Sequence, residues 1–127
     1  MALSLTSVGR TVQAAPERAW GLLTDTTAWP LWGPSVRRVS CQERIIRQGS
    51  HGYIETPVRL RLPFLITEYV HGSYWSWSVA GARATGHRVL HLAPQQCRIV
   101  FELPPSWILY RPVCLLALRR LARLLRS

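Results

Sequence analysis

The chain has 127 residues and no lysine; all sixteen of its basic residues are arginine. That absence reads as codon usage as much as physics. Cysteine is sparse. Cys41, Cys97 and Cys114 form an odd, widely spaced set without a CxxC, which argues against a disulfide framework and for buried reduced thiols. The histidines, His51, His71, His87 and His91, show no H-x-x-x-H spacing and no cysteine neighbours, so no zinc or iron site is expected. Asp25 is the only aspartate, and no G-x-S-x-G elbow occurs, so a Ser-His-Asp triad lacks its parts. Neither G-x-G-x-x-G nor a P-loop is present, which leaves nucleotide cofactors without a cradle. No cofactor is expected. No apolar run reaches the length of a membrane span, and the N-terminal MALSLTSVGR lacks a basic leader and a sustained apolar region. No transmembrane segment or signal peptide is therefore expected, and cytoplasmic residence is the default. Internal repeats, linkers and low-complexity tracts are also missing.

What remains is a hydrophobic fraction of 48%, six tryptophans and four tyrosines. A chain of this size and composition is expected to build one domain, residues 1–127, around one core. The net charge is +10. Such a charge favours acidic partners, among them nucleic acid, an anionic membrane, an acidic protein or a phosphate-bearing ligand. A simple solvated surface is the competing reading, because the arginines are scattered along the chain. Nucleic acid is disfavoured as a partner. It would need base-stacking aromatics exposed among the strand arginines 37, 38, 44, 47, 59, 61, 88 and 98.

The C-terminal stretch Tyr110–Arg126 has helical periodicity. Val113, Cys114, Ala117, Leu118, Leu121, Leu124 and Leu125 share one arc, and four arginines lie opposite with Leu116 stranded among them. Pro112 suits a first turn. At the other end, Leu3 to Gln13 alternates as a strand with Val8 and Val12 on its apolar face. Ala15-Pro16-Glu17 opens a short helix that should stop near Asp25, with one extra turn over Ala28 to Leu31. Six strand-like segments follow: Val36–Ile46, Tyr53–Arg59, Leu65–Val70, Tyr74–Ala80, Arg83–Leu92 and Cys97–Leu103. Turns separate them at Gly49–Gly52, His71–Ser73, Gly81 and Ala93–Gln95, and Arg61–Phe64 with Pro63 is a break or an irregular strand start. Strands joined by short turns are antiparallel. The expected class is α+β, a seven-stranded curved antiparallel sheet wrapped around a long C-terminal helix, with two short helices after the first strand.

The order β-α-α-β6-α matches the helix-grip fold. The text AAPERAWGLLTDTTAWPLWGPSV at Ala14 to Val36 resembles the polyketide cyclase/dehydrase and lipid-transport superfamily, the START-like or SRPBCC group. GSHGYIETP, YWSWSVAG, ATGHRV, CRIVFELP and CLLALRRLARLL continue the resemblance, which runs from about Thr6 to Leu125. The resemblance implies a cavity between helix and sheet that binds a small hydrophobic or aromatic ligand. Members cyclise or dehydrate such ligands, or only carry them; the alternative reading is a non-enzymatic lipid or hydrophobic-ligand carrier, or a protein-interaction module of the same fold. An acidic carrier protein presenting the substrate would suit the positive charge.

Candidate site residues follow from strand parity. Trp75 and Trp77 share a face, as do Thr85 and His87, and each pair either borders the cavity or packs the core. His87 is the leading acid–base candidate, against a histidine satisfied by a carbonyl or hydroxyl. Glu68 and Glu55 are the strand carboxylates that could act as a base if buried; the competing reading pairs each with an arginine. Tyr53 shares a face with Glu55 and is a candidate ligand contact. Trp29 and Trp32 flank Pro30-Leu31, a segment that the resemblance places near the cavity mouth as a gate or lid; the competing reading is a hydrophobic plug closing one end of the core. Tyr110 either points into the cavity or anchors the helix. The expected site is thus His87 and Glu68 for chemistry, with Trp29, Trp32, Tyr53, Trp75, Trp77, Thr85 and Tyr110 against the ligand.

Overall fold

A computed structural model describes residues 6–126. The elements are β1 (Ser7–Val12), α1 (Pro16–Thr24), α2 (Trp29–Trp32), β2 (Arg38–Cys41), β3 (His51–Glu55), β4 (Arg61–Val70), β5 (Tyr74–Val79), β6 (Ala82–Ala93), β7 (Gln96–Glu102) and α3 (Arg111–Leu125). A 3-10 turn, Pro105–Tyr110, leads into α3. The seven strands form one antiparallel sheet in the order β1-β7-β6-β5-β4-β3-β2. This is the expected α+β helix-grip architecture, with a curved sheet closed over the C-terminal helix.

Local chemistry explains most boundaries. Pro16 starts α1 without a lost hydrogen bond, and Asp25 ends it in an extended conformation. Gly72 sits at φ +77° in the turn between β4 and β5, where a side chain would strain the backbone. Pro104 and Pro105 terminate β7 and open the 3-10 turn. α3 then buries Cys114, Ala117, Leu118, Leu121, Ala122 and Leu125. Each leucine among them contributes roughly 2 kcal/mol of transfer free energy. They pack in one core with Val8 and Val12 of β1, Ile99 and Phe101 of β7, and Trp20 and Leu23 of α1.

Several boundaries differ from the sequence pattern. The expected strand Val36–Ile46 forms only over Arg38–Cys41, because the chain leaves the sheet at Gln42. Ile45 makes a single bridge to Asp25, and Ile46 is buried. β3 starts at His51, inside the expected turn, and ends at Glu55. β4 runs unbroken through Pro63, whose carbonyl accepts the Ala80 N–H. Leu3 to Leu5, the start of the expected first strand, lie outside the described residues.

Two register shifts decide which side chains face inward. Between Ile66 and Glu68 of β4, Thr67 is an extra residue against β5. Ile66 is buried on the inner face opposite Trp77, and Tyr69 returns inward opposite Trp75. Opposite Trp77 a second shift lets β6 place Ala84 and Thr85 against one β5 residue. Bulges of this kind redirect side chains on one strand without breaking the sheet.

Candidate functional site

The inner faces of β5, β6 and β7 meet α2 and the start of α3 around a small chamber. Trp29 and Trp32 come from α2, Trp75 and Trp77 from β5, Thr85 and His87 from β6, Phe101 from β7, and Tyr110, Val113, Cys114 and Ala117 from the last segment. Its volume is about 40 Å³. At roughly 10–15 Å³ per water, that is room for about three waters. The Gly33–Val36 segment and Tyr110 also line it.

The tryptophans are held firmly. Trp29 Nε1 donates to the Leu23 carbonyl at 2.9 Å, and Trp32 Nε1 donates to the Leu22 carbonyl at 2.8 Å, so the end of α1 pins both indoles of α2. Trp29 stacks on Trp75 at 5.4 Å between ring centroids and meets Trp77 edge-on at 5.3 Å. His87 lies almost parallel to Trp75, with ring centroids 3.9 Å apart. Each such pair is worth about 0.5–1.5 kcal/mol beyond its buried area. Trp75 is 1% exposed, and its Nε1–H has no hydrogen-bond partner among the described residues.

The polar wall is a single directed relay. His87 Nδ1 lies 3.3 Å from the Trp75 carbonyl, which can only accept, so this nitrogen carries the proton. Nε2 is therefore the acceptor, and Thr85 Oγ1 donates to it at 3.0 Å. Trp77 Nε1 in turn donates to Thr85 Oγ1 at 3.1 Å. Burial drives the His87 pKa from 6.5 down to about 3, against the Trp75 carbonyl, which works the other way. At neutral pH the ring is neutral, weakly basic and engaged at both nitrogens. Elsewhere in the lining, Tyr110 Oη donates to Ser35 Oγ at 2.5 Å. Burial pushes the Tyr110 phenol up, so it stays protonated.

The chamber gathers Trp29, Trp32, Trp75, Trp77, Thr85, His87 and Tyr110, seven of the nine expected residues. Glu68 is not among them. The bulge at Thr67 turns it onto the exposed outer face, where Oε1 accepts a 2.6 Å hydrogen bond from Ser76 Oγ. Tyr53 is also outside. Its neighbour Ile54 takes the inner position, and Tyr53 is 43% exposed with the Arg61 guanidinium 4.1 Å over its ring. Glu55 is ion-paired to Arg37 at 2.8 Å. Phe101, Val113, Cys114, Ala117 and the Gly33–Val36 segment also line the chamber and are not among the expected residues. Phe101 was readable from the β7 alternation, in which Cys97, Ile99 and Phe101 point inward.

Among the described residues no group of three or more His, Cys, Asp or Glu could hold a metal. Among the described residues no helix is long and apolar enough to cross a membrane. Of the eight strand arginines weighed for a nucleic-acid face, Arg37, Arg44, Arg47 and Arg88 each hold a carboxylate at 2.8–3.4 Å.

No protein-family model matches this chain, and no curated protein matches it. Solved structures do. A conserved protein of unknown function from Enterococcus faecalis superposes with a TM-score of 0.69 at 20% identity, over 93% of this chain and 68% of its own. XoxI from Bacillus cereus gives a TM-score of 0.75 at 14% identity, over 96% of this chain and 95% of its own. DynU16, a protein in the dynemicin biosynthetic locus, gives 0.67 at 17% identity, over 96% of this chain and 47% of its own. At these identities the likeness shows the fold alone.

Proposed function

We propose that this chain binds a small, flat hydrophobic molecule between its sheet and its C-terminal helix, without changing it chemically. The observation that carries this reading is the wall of the chamber. Four indoles line one space, and the polar side chains facing it, Thr85 and His87, are already paired with each other and with the backbone. Such a surface offers stacking and apolar contact. Trp75 lines the chamber, and its Nε1–H, without a partner among the described residues, would be satisfied by a ligand oxygen within its reach.

A chamber of about 40 Å³ admits such a ligand only if its wall moves. The less tightly held wall is the one at Tyr110 and Ser35, which we take as the mouth. Trp29 and Trp32 are pinned to α1, whereas Tyr110 and Ser35 are joined by one side-chain hydrogen bond between half-buried residues. Breaking that contact would let Gly33–Val36 part from the start of α3.

The competing reading is a polyketide cyclase or dehydratase fed by an acidic carrier protein. It asks His87 to shuttle a proton, and the ring has no free nitrogen and little basicity. Glu68 would have to act from the opposite face of the sheet. Carriage is therefore the better-supported reading.

Thermal melting with a panel of planar probes (1-naphthol, flavone, anthraquinone) tests it. A ligand at a hundred times its Kd stabilises by about 2.7 kcal/mol, a shift of several degrees for a domain of this size. A rise in Tm with any probe, and its recovery unchanged by mass spectrometry, is expected. A flat Tm across the panel would overturn the reading, and conversion of a bound polyketone would favour the cyclase.

A further inference from the structure

α3 buries one apolar face against the sheet, and the opposite side is not wholly polar. There Leu116 is 37% exposed, and Leu109, in the 3-10 turn just before, is 92% exposed. Projected at 100° per residue, Pro112, Leu116, Arg119 and Arg123 fall within an arc of about 60°. All four are exposed. No acid follows Glu102 in the sequence, so this charge is uncompensated along its own segment. One stripe thus presents aliphatic side chains at its N-terminal end and guanidinium groups at its C-terminal end.

The charge selects among occupants. A second copy would bring a like charge of +10 against these arginines. Nucleic acid would engage the guanidinium groups and leave Leu109 and Leu116 in water, since stacking needs aromatic rings. An anionic bilayer complements both halves, with acyl chains for the leucines and phosphates for the arginines. We infer that the outer stripe of α3, with the turn before it, docks on an anionic phospholipid surface. Leu109 and Leu116 enter the acyl boundary, and Arg119 and Arg123 rest on headgroup phosphates. Tyr110 and Val113, which line the chamber, are neighbours of Leu109 and Pro112 in the chain. The docked protein would therefore hold the chamber mouth close to the bilayer.

Co-sedimentation with vesicles tests this, using phosphatidylcholine alone and phosphatidylcholine with 30% phosphatidylglycerol, at low salt and without any chamber ligand. The protein is expected on the phosphatidylglycerol vesicles and not on pure phosphatidylcholine. Leu109→Asp with Leu116→Asp should cut binding at least tenfold, and Arg119→Gln or Arg123→Gln should each cut it about fivefold. These side chains are exposed, so circular dichroism should be unchanged; Leu109→Gln with Leu116→Gln gives the same readout if the aspartate pair unfolds. Two results would overturn the inference: no sedimentation with phosphatidylglycerol vesicles, or binding that needs the arginines and ignores the leucines. The second is how an acidic protein or a nucleic acid would be recognised. Because no ligand enters this assay, its failure leaves the chamber reading standing, and a flat melting panel leaves the docking result standing.

Discussion

Acid should unfold this protein earlier than its carboxylates require, because of His87. The ring is buried and neutral, with its pKa pushed down to about 3, whereas in the unfolded chain it titrates at its ordinary 6.5. Below pH 6.5 the unfolded chain takes up a proton that the folded chain refuses. Stability is therefore full above pH 6.5 and is lost as pH falls towards 3. The slope is about 1.4 kcal/mol per pH unit, so the loss is about 2 kcal/mol between pH 6.5 and 5. Burial opposes the shift at Asp25, but hydrogen bonds from Arg44 and Thr27 hold its carboxyl below the usual 3.8, so its contribution is lost at lower pH. His51, His71 and His91 are exposed. Urea unfolding at pH 7, 6 and 5 measures the slope, with His87→Phe as the comparison. The variant should start less stable, because Thr85 and the Trp75 carbonyl lose a partner, and its slope should be flat. The His87 Cε1 resonance gives an independent reading and should not titrate down to pH 4. Equal slopes in the two proteins, or a midpoint near 6.5 for that resonance, would refute the buried relay.

Other perturbations separate its parts. Thr85→Val strands both His87 Nε2 and the Trp77 indole N–H, and should cost about 2–4 kcal/mol in urea unfolding. Gly52→Ala would drive a methyl into the Ser40 carbonyl across the β2–β3 pair and should cost more than about 2 kcal/mol, read as a lowered Tm. Gly21→Ala meets nothing within 4 Å inside α1 and should stabilise by about 0.5–1 kcal/mol. Tyr110→Phe removes the hydrogen bond to Ser35 and should speed probe binding severalfold in stopped-flow fluorescence, with Tm changed by only a few degrees.

The parts of the molecule that were legible in the sequence are those where one periodicity holds for several residues. The arc of α3 read correctly at Cys114, Ala117, Leu118, Leu121 and Leu125, because a helix face repeats without interruption. Trp75 with Trp77 stayed on one face because the extra residue at this register shift lies on β6 and not on β5, and Thr85 with His87 because β6 pairs regularly from Gly86 to His91. Glu68 did not, because the extra residue at Thr67 reversed the parity of β4 beyond Ile66, and nothing local marks that bulge. Tyr53 was a different case. Ile54 beside it is the residue an inner face would choose, and weighing that pair would have placed Tyr53 outside. The chamber's size was not legible at all. It depends on how far four indoles interlock, which follows from their stacking geometry and not from their count.

The central claim is that the space among the four indoles accepts a ligand. Six indole N–H signals from a ¹⁵N-labelled sample, followed during titration with 1-naphthol, test it most directly. Trp75 and Trp77 should shift most, Trp29 and Trp32 less, while Trp20 of α1 and Trp107 on the 3-10 turn stay in place. Shifts confined to Trp20 and Trp107, or none at saturating probe, would show that the interior is a packed core with no binding role.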